Sequence, residues 1–411
     1  MSQNNENKLV PRLRFPEFND NWNPKQICDL LEYERPDNYI VNDTNYTTEG
    51  TPVLTANKSF ILGYTEETNG ICEDIPAIIF DDFTVDKKFV DFPFKVKSSA
   101  IKILRPKGKD DLKFIFELMS LIKFEAKEHK RYYISAYQNL SIPIPKPNEQ
   151  QKIAACLSSL DDVITAESKK LEVLKEHKKG LLQNLFPQEG ETVPKLRFKE
   201  FENSGEWEVK KLGDIGVPLM CKRIFKEETT TNSNDGVPFY KIGTFGRLAD
   251  SYISKEIYEE YKSKYSFPKD GDILISASGT IGRLVIYDGT PAYFQDSNII
   301  WLGHNEEKIL NKFLFYCYSN LKWQTSDGGV ISRLYNSDFI RMTINFPEKK
   351  EEQQKITACL SSIDDLINAQ SQKIETLKLH KKGLLQGFKV STVFPIKLGK
   401  YQIPYFGELT R

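Results

Sequence analysis

The chain contains one long helical sequence twice. Residues 149–183 align with residues 352–386 without a gap, and 26 of the 35 aligned positions are identical. A shorter repeat precedes each copy, because residues 11–18 read PRLRFPEF and residues 194–201 read PKLRFKEF. The regions between these repeats share little. The chain therefore consists of two half-molecules with matched frames and different contents, a pattern that suits two different recognition surfaces held in one geometry.

The repeated segments predict two long helices that pair as an antiparallel coiled coil. Apolar residues recur at alternating steps of four and three, which is a heptad pattern. A helix of about 36 residues would be about 54 Å long. The predicted seam consists of Ile153, Leu157, Leu160, Ile164, Leu171 and Leu174 in the first copy and Ile356, Leu360, Ile363, Ile367, Ile374 and Leu377 in the second.

Polar residues interrupt the seam at matched positions. Glu167 corresponds to Gln370, and Lys178 corresponds to Lys381. A polar pair at the centre of the seam would fix register, although a solvated edge explains these residues equally well. Asn148 is the predicted cap of the first helix, with Gln151 three residues further on. Glu351, at the corresponding position of the second helix, is a poorer cap.

The regions 20–147 and 205–348 predict α+β globules. Short β-type runs occur at 77–80, 99–104, 272–276, 283–287 and 298–302. A short helix is predicted in each region, at 114–124 and at 312–318, followed by a proline-rich strand that leads into the long helix. The second half is about 20 residues longer, because the short repeats are offset by 183 residues and the helices by 203.

Composition bounds the class of protein. The chain has 411 residues, and its 57 basic residues balance 57 acidic ones, which weakens any expectation of non-specific nucleic-acid binding. No apolar run approaches the roughly 18 to 20 residues of a membrane span, so no membrane association is expected. The polar N-terminus does not resemble a signal peptide, and six scattered cysteines without a C-x-x-C pair favour a reduced cytoplasmic protein.

Catalytic motifs are absent from the sequence. It contains no G-x-x-x-x-G-K-[ST] phosphate loop, no G-x-G-x-x-G and no H-E-x-x-H. Four histidines offer too little for a metal site. The doubled aspartates 161–162 and 364–365 are predicted to form a solvated or partner-facing helix edge. We therefore expect a non-catalytic chain without a cofactor or a metal of its own.

The doubled motifs resemble the specificity (S) subunit of type I restriction–modification systems over nearly the whole chain. The resemblance is carried by the paired P-x-L-R-F-x-E-F starts, the paired E-Q-Q-K-I helices and the paired H-K-K-G-L-L-Q endings. The segments 271–282, 79–84 and 90–97 are similar to segments of that family's recognition domains. The resemblance divides the chain into an N-terminal segment (1–19), a first target recognition domain (20–147), a helical region (148–187), a second target recognition domain (188–350), a second helical region (351–388) and a tail (389–411).

The resemblance implies a mechanism and partners. Each target recognition domain would read one half of a bipartite double-stranded DNA target, and the coiled coil would set the spacer. The chain would dock two DNA-methyltransferase (M) subunits, which carry S-adenosylmethionine and methylate adenine, and through them the restriction (R) subunits with their ATP-dependent endonuclease activity. The pseudo-two-fold repeat would allow two identical M subunits to bind one S chain.

Candidate DNA-contacting residues are basic or polar side chains near turns. They are Lys87, Lys88, Arg131, Tyr132, Tyr133 and Gln138 in the first half and Ser278, Thr280, Arg283, Arg333 and Tyr335 in the second. Arg131 and Arg333 precede the two helical repeats by nearly the same number of residues, which favours equivalent positions for them. The alternative interpretations are a hairpin turn for the glycines and a solvated basic face for Lys87 and Lys88.

A rival class of function remains open at this point. A coiled-coil adaptor that holds two protein-binding domains and never touches DNA would also show this repeat, and the neutral charge favours it. An enzyme with an unfamiliar active site is a weaker rival. The tail after Phe388 is expected either to pack near the N-terminal segment or to be disordered. The target sequence and the spacer length do not follow from these residues.

Overall fold

The computed structural model describes residues 9–57, 59–234, 236–323, 333–390, 396–398 and 401–403. The chain divides into a first unit, Met1–Ser168 with Gln372–Arg411, and a second unit, Lys169–Ser371. Within the described ranges, every helix is too short or too polar to cross a membrane.

The first unit contains most of the N-terminal half of the chain. In chain order its elements are β1 (Asn23–Gln26), α1 (Ile27–Leu30), β2 (Leu31–Glu34), β3 (Thr51–Leu54), β4 (Ile61–Thr65), β5 (Ala77–Asp81), β6 (Lys87–Val90), β7 (Lys95–Val96), β8 (Ile101–Pro106), α2 (Leu112–Ser120), β9 (Ser141–Ile144) and the first part of α3 (Pro147–Leu185).

The second unit begins within α3. Its further elements are β10 (Glu208–Lys211), β11 (Val217–Leu219), β12 (Val237–Tyr240), β13 (Tyr252–Ile253), α4 (Lys255–Lys264), β14 (Ile273–Ser276), β15 (Leu284–Ile286), β16 (Tyr293–Phe294), β17 (Ile299–Gly303), α5 (Asn311–Asn320), α6 (Asn336–Arg341), β18 (Thr343–Phe346) and α7 (Lys350–Gly387). The last part of α7 belongs to the first unit, and β19 (Ile396–Leu398) pairs antiparallel with β20 (Tyr401–Ile403) in the tail.

The two units have the same sheet topology. The first has a four-stranded sheet in the order β2-β8-β5-β6 and a three-stranded sheet β4-β3-β7, and the second has β11-β17-β14-β15 and β13-β12-β16. In both three-stranded sheets one pair is parallel, β3 with β7 and β12 with β16. A further two-stranded ladder, β1-β9 or β10-β18, leads into the long helix. The second unit adds α4, which explains about half of its extra length.

The strand at the centre of each large sheet is buried on both faces. Along β5, Ile78 and Phe80 face the core beneath α2, whereas Ile79 faces the core beneath the small sheet. In β14, Ile275 and Leu274 divide in the same way between two cores. A strand covered on both faces needs an uninterrupted apolar run, which is why these segments lack polar alternation.

The long helices run antiparallel within each unit. In the first unit Lys381 of α7 contacts Asp161 of α3, and Lys373 contacts Glu167, so the numbering rises along one helix as it falls along the other. In the second unit Lys178 contacts Asp364. All twelve predicted seam residues are buried or half-buried.

Most predicted elements are confirmed, with corrections at the helix starts. The strands predicted near 77–80, 99–104, 272–276, 283–287 and 298–302 and both short helices are present, shifted by a few residues at most. The predicted cap Asn148 is wrong, because α3 begins one residue earlier at Pro147, whose missing N–H costs nothing in the first turn. α7 likewise begins at Lys350, before Glu351.

The end of α7 and the following Phe388 pack on the N-terminal segment within the first unit. The Leu13 N–H donates to the carbonyl of Gly387, and the rings of Phe15 and Phe388 stack with their centroids 5.6 Å apart. Val390 is buried in the same core. Gly387 and Phe388 precede the tail, so the packing alternative for the tail stays a prediction, with the burial of Val390 in its favour. The expectation for residues 391–395, 399–400 and 404–411 lies outside the described residues.

Candidate nucleic-acid interface

The repeated motifs contact each other inside each unit. In the first unit Arg14, from the short motif, donates two hydrogen bonds of 2.8 and 2.7 Å to Glu149 at the start of α3. The indole of Trp22 donates a third bond to the same carboxylate at 3.2 Å. Lys152 binds Glu17 of the short motif. Both motifs thus recur because each supplies half of one contact, which we call the helix-start contact.

The second unit repeats the helix-start contact atom for atom. Arg197 donates to both oxygens of Glu352 at 2.8 Å, and the Trp207 indole donates at 3.3 Å. Lys355 binds Glu200 at 3.0 Å. Glu149 and Glu352 are almost completely buried. A buried carboxylate with a bidentate arginine and an indole donor has its acceptor sites filled, which offsets its desolvation.

A glutamine next to each buried glutamate fixes the short helix. The Gln150 amide donates to the carbonyl of Pro145 at 2.8 Å and to Asp110 at 2.7 Å, and its oxygen accepts the N–H of Asp111 at 2.8 Å. The corresponding partners of Gln353 are Pro347, Lys308 and Leu310. The start of each long helix is therefore joined to the segment that begins α2 or α5.

A second contact joins α2 to both long helices in the first unit. Two lysines and two carboxylates form this contact, and each ammonium lies 2.7–3.2 Å from both carboxylates. The residues are Lys113 and Glu117 of α2, Asp161 of α3 and Lys381 of α7. Although burial opposes it, the hydrogen bonds from Lys381 and Lys113 hold the pKa of Asp161 below its usual value. We call this group the four-charge cluster. Asp161 was predicted on a solvated or partner-facing edge, but its carboxylate contacts α2 and α7 within the unit.

The second unit keeps the helix pair but changes the third partner. Lys178 and Asp364 repeat the ion pair at 2.5 Å. The residue that corresponds to Glu117 is Tyr316, whose hydroxyl donates to Asp364 at 2.9 Å. Burial, with the hydrogen bond to Asp364, raises the pKa of Tyr316. Asp364, predicted on the same solvated or partner-facing edge, likewise contacts side chains of its own unit, whereas Asp162 and Asp365 are exposed.

Arg131 lies on a loop that is anchored to the tip of the β5–β6 hairpin. The backbone carbonyl of Asp82 accepts the Tyr132 N–H at 2.8 Å, and its buried carboxylate accepts the Tyr133 N–H at 2.8 Å. The Arg131 side chain is 52% exposed, and its guanidinium lies 3.9 Å from Asp82 and 5.7 Å from the centre of the Phe83 ring. The anchor therefore presents an accessible guanidinium beside an aromatic ring.

Arg333 occupies the corresponding place in the second unit. The Leu334 N–H donates to the carbonyl of Ala277 at 2.8 Å, just beyond β14, as Tyr132 does to Asp82 just beyond β5. Arg333 is half-buried, donates to the carbonyl of Ser297 at 3.1 Å and lies 5.9 Å from the ring centre of Tyr335. Each unit therefore places one arginine and one aromatic ring beside the same hairpin. We call these places the loop anchors.

The structure does not support every predicted DNA contact in the first half. Tyr132 and Tyr133 are buried in the core, which leaves their side chains little surface for the predicted contact with DNA. Lys87 is half-buried, its ammonium lies 5.4 Å from the centre of the Tyr137 ring, and burial lowers its pKa to about 8. Gln138 is half-buried and donates to the carbonyl of Ile134 at 3.1 Å. Lys88 is half-buried on β6.

In the second half the predicted residues surround the β14–β15 turn. Ser278 is half-buried and donates to Asn298 at 2.8 Å, whereas Thr280 is exposed at the tip. The Arg283 guanidinium donates to the carbonyl of Phe245 at 2.9 Å, so one face of it is already used. Tyr335 is exposed. The Ser278–Arg333 bridge joins the turn to Arg333, and the Tyr335 ring lies 5.9 Å from the Arg333 guanidinium.

Sequence reasoning missed the partners of the repeated glutamates. Trp22 and Trp207 stand at different distances from the short motif, so a gapless alignment does not pair them. The repetition of Arg14 and Glu149 in both halves was visible, and a search for charges that always recur together would have paired them. Among the described residues, no three histidine, cysteine, aspartate or glutamate side chains are grouped as a metal site.

Sequence comparisons agree with the motif analysis. The profile described as "Type I restriction modification DNA specificity domain" matches residues 19–176 and 204–379. A putative type I restriction enzyme specificity subunit, S.HindORF215P of Haemophilus influenzae, is 39% identical over 276 residues, which cover 66% of this chain and 69% of that one. The EcoR124I/EcoR124II specificity subunit of Escherichia coli is 31% identical over 373 residues, covering 85% and 87%.

Solved structures share the fold. The crystal structure of the type I restriction–modification S subunit from M. genitalium superposes with a TM-score of 0.59 at 16% identity and covers 93% of this chain and 100% of that one. A chain from a structural study of complex assembly and conformational transition of the type I system gives a TM-score of 0.53 at 17% identity, with 90% and 97% covered. At these identities the likeness is one of fold.

Proposed function

The chain belongs to the type I restriction–modification DNA specificity family, and from that premise we propose that each unit reads one half of a bipartite double-stranded DNA target. The observation that carries the proposal is the loop anchor built twice on one topology. Arg131 and Arg333 occupy corresponding positions, while the side chains around them differ. Two different half-sites require the same backbone topology in both units and different side chains around the two arginines.

Arginine is the side chain best suited to this task. Its guanidinium pairs with two acceptors of guanine in the major groove, whereas phosphate contacts position a protein without reading sequence. The ion pair with the buried Asp82, at 3.9 Å, limits where the Arg131 guanidinium lies. The carbonyl of Ser297 does the same for Arg333. A pre-oriented guanidinium loses less entropy on binding than a free one.

The two long helices would set the spacer between the half-sites. α3 has 39 residues and α7 has 38, and both pass from one unit into the other. The helix-start contact ties each recognition domain to the beginning of its own helix. The helical length between the two starts, rather than any base contact, would then fix the number of unread base pairs.

The helices would also dock two identical methyltransferase subunits. Identical and exposed residues recur along one face of each helix, which supports one partner surface presented twice. These residues are Gln151, Ala155, Ser159, Asp162 and Ala166 in α3 and Gln354, Ala358, Ser362, Asp365 and Ala369 in α7. Methyl transfer to adenine and ATP-dependent cleavage would reside on the M and R subunits. This chain would supply the DNA sequence specificity and would not be catalytic.

The test is methylome mapping in cells that express this chain with its methyltransferase partner. The proposal predicts one split adenine-methylation motif with a fixed gap, present only when both proteins are expressed. Insertion of seven residues after Ser168 and after Ser371 should widen the gap by about 3 base pairs, from about 1.5 Å per residue and 3.4 Å per base pair. Altered half-sites would contradict the spacer role. Unchanged methylation with an active partner would favour the protein-binding adaptor instead.

A further inference from the structure

An aromatic residue occupies the tip of the β5–β6 hairpin in the first unit. The carboxylate of Asp81 accepts the N–H groups of Phe83 and Thr84, each at 2.9 Å, and so holds the turn. Val85 completes the turn with a φ of 59°, a conformation that β-branched residues rarely adopt, and its side chain is buried. Phe83 is therefore fixed at a position where turns usually carry a polar residue.

The anchored loop brings a second ring onto Phe83. The imidazole of His129 stacks on it with the centroids 4.7 Å apart and the planes at 15°. Asp82, buried beneath the turn, holds this loop through the N–H groups of Tyr132 and Tyr133. His129 is exposed and Phe83 is half-buried. The result is a fixed aromatic stack at the surface, next to the Arg131 guanidinium.

The second unit shows that the loop anchor does not need this ring. Because Ala277 corresponds to Asp82, the residue at the position of Phe83 is Ser278, followed by Gly279 with a φ of 65°. The loop anchor forms there with a small residue at the tip. The ring beside Arg333 comes from Tyr335 instead. Phe83 is thus a feature of the first half alone, as a residue that reads one half-site should be.

We propose that Phe83 determines specificity in the first half-site by an apolar contact with the methyl group of a thymine, beside the base that Arg131 reads. The inference rests on the proposed function. A phenyl ring carries no charge for phosphate, whereas phenylalanine at a base edge recognises the thymine methyl. His129 is a positioning residue, because its ring supports one side of Phe83.

The experiment uses the full chain in complex with its methyltransferase partner. Once methylome mapping has given the target, duplexes are made in which each thymine of the first half-site is replaced by deoxyuridine, which removes only the methyl group. A methylated adenine in that half-site guarantees at least one thymine opposite. For the unsubstituted chain one replacement should weaken binding about fourfold, as loss of one buried methyl predicts. With Phe83→Ala that dependence should vanish.

Two variants separate contact from folding. Phe83→Leu keeps apolar surface at the tip and should retain part of the dependence, which guards against an unfolded alanine variant. Slow hydrogen exchange at the Tyr133 amide reports that the loop anchor is intact. Ser278→Ala, the matched change in the second unit, should leave the first half-site unaffected. His129→Ala should weaken the deoxyuridine effect, and His129→Phe, which keeps a stacked ring, should restore it.

The outcomes distinguish this inference from the proposed function. If the unsubstituted chain reads a split target but no thymine of the first half-site shows a methyl dependence, the role of Phe83 is wrong. The same holds if a folded Phe83→Ala variant keeps the dependence, since the ring then only covers the loop. If the complex reads no split target at all, the proposed function is overturned instead.

Discussion

The two units join their recognition domains to the same helix pair by different means. Both contain an aspartate–lysine pair between α3 and α7, yet the third partner is the carboxylate of Glu117 in the first unit and the hydroxyl of Tyr316 in the second. In the first unit Lys113 also contacts Glu117 and Asp161, which completes the four-charge cluster. The contacts between the two long helices are thus more similar in the two units than the contacts of these helices with the recognition domains.

This difference has an energetic consequence. Glu117 is only 4% exposed, so removing its lysine partners would leave a buried charge, a change that costs several kcal/mol in other proteins. Tyr316 carries no charge and needs only an acceptor. The first unit therefore depends on its ion pairs more strongly than the second, while the helix-start contacts should contribute equally to both.

The largest effect is expected at the helix-start contacts. Glu149→Gln and Glu352→Gln should each cost about 3–5 kcal/mol, because a buried arginine loses its anionic partner. Hydrogen-exchange mass spectrometry should show the loss mainly in the unit that carries the change. Gln151→Ala and Gln354→Ala, at exposed positions two residues further on, should cost less than about 0.5 kcal/mol. Equal loosening of both units by either variant would show that the contacts are not local.

The next effect concerns DNA recognition. Arg131→Ala should weaken discrimination at the first half-site, and Arg333→Ala at the second, each by about 1–3 kcal/mol if the guanidinium pairs with a base. Competition binding with one half-site mutated at a time measures each loss separately. A uniform loss on unrelated DNA, with a salt slope reduced by about one, would identify a phosphate contact instead.

A smaller effect separates the two ion pairs. Lys381→Met should destabilise the first unit by about 1 kcal/mol more than Lys178→Met destabilises the second, because Lys381 neutralises two carboxylates and Lys178 one. Local free energies from hydrogen exchange test the difference. Lys382→Met and Lys179→Met, at the exposed neighbouring positions, serve as matched controls. Equal losses would mean that Lys113 alone suffices for Glu117.

The helices, their heptad seam and the strand content were predictable because each rests on a local pattern. The spacing of Ile153 and Leu157 is enough to predict the buried face of the helix. Residues whose role depends on a distant partner were not predictable in this way. In the sequence Glu149 is an ordinary helical glutamate, and only the fold brings Arg14 and Trp22 to it. Tyr133 stands in a basic loop of the sequence, and the hydrogen bond from its N–H to Asp82 is visible only in the structure.

The equivalence of Arg131 and Arg333 was partly predictable, since both stand at nearly the same distance before the helices. Their loops differ in sequence, so only the backbone bonds to Asp82 and Ala277 establish the correspondence. The extra residues of the second half could be counted from the offsets of the repeats. Their placement in α4 was missed, although Ser254 caps this helix and Ile257, Tyr258 and Tyr261 recur at helical spacing on its core face.

The smallest effect is the part of the pH dependence of stability that comes from the four-charge cluster. Asp161 has a lowered pKa in the folded chain, despite its burial, because Lys381 and Lys113 bind its charged form. A carboxylate with a lowered folded pKa stabilises the fold above its unfolded pKa of about 3.9, and this contribution disappears as the pH falls through the folded value. Asp161→Asn should therefore remove part of the acid sensitivity of the first unit. Unfolding midpoints in urea at pH 6 and at pH 3, compared between the unsubstituted chain and the variant, measure that part, and equal shifts in both proteins would show that other carboxylates carry it.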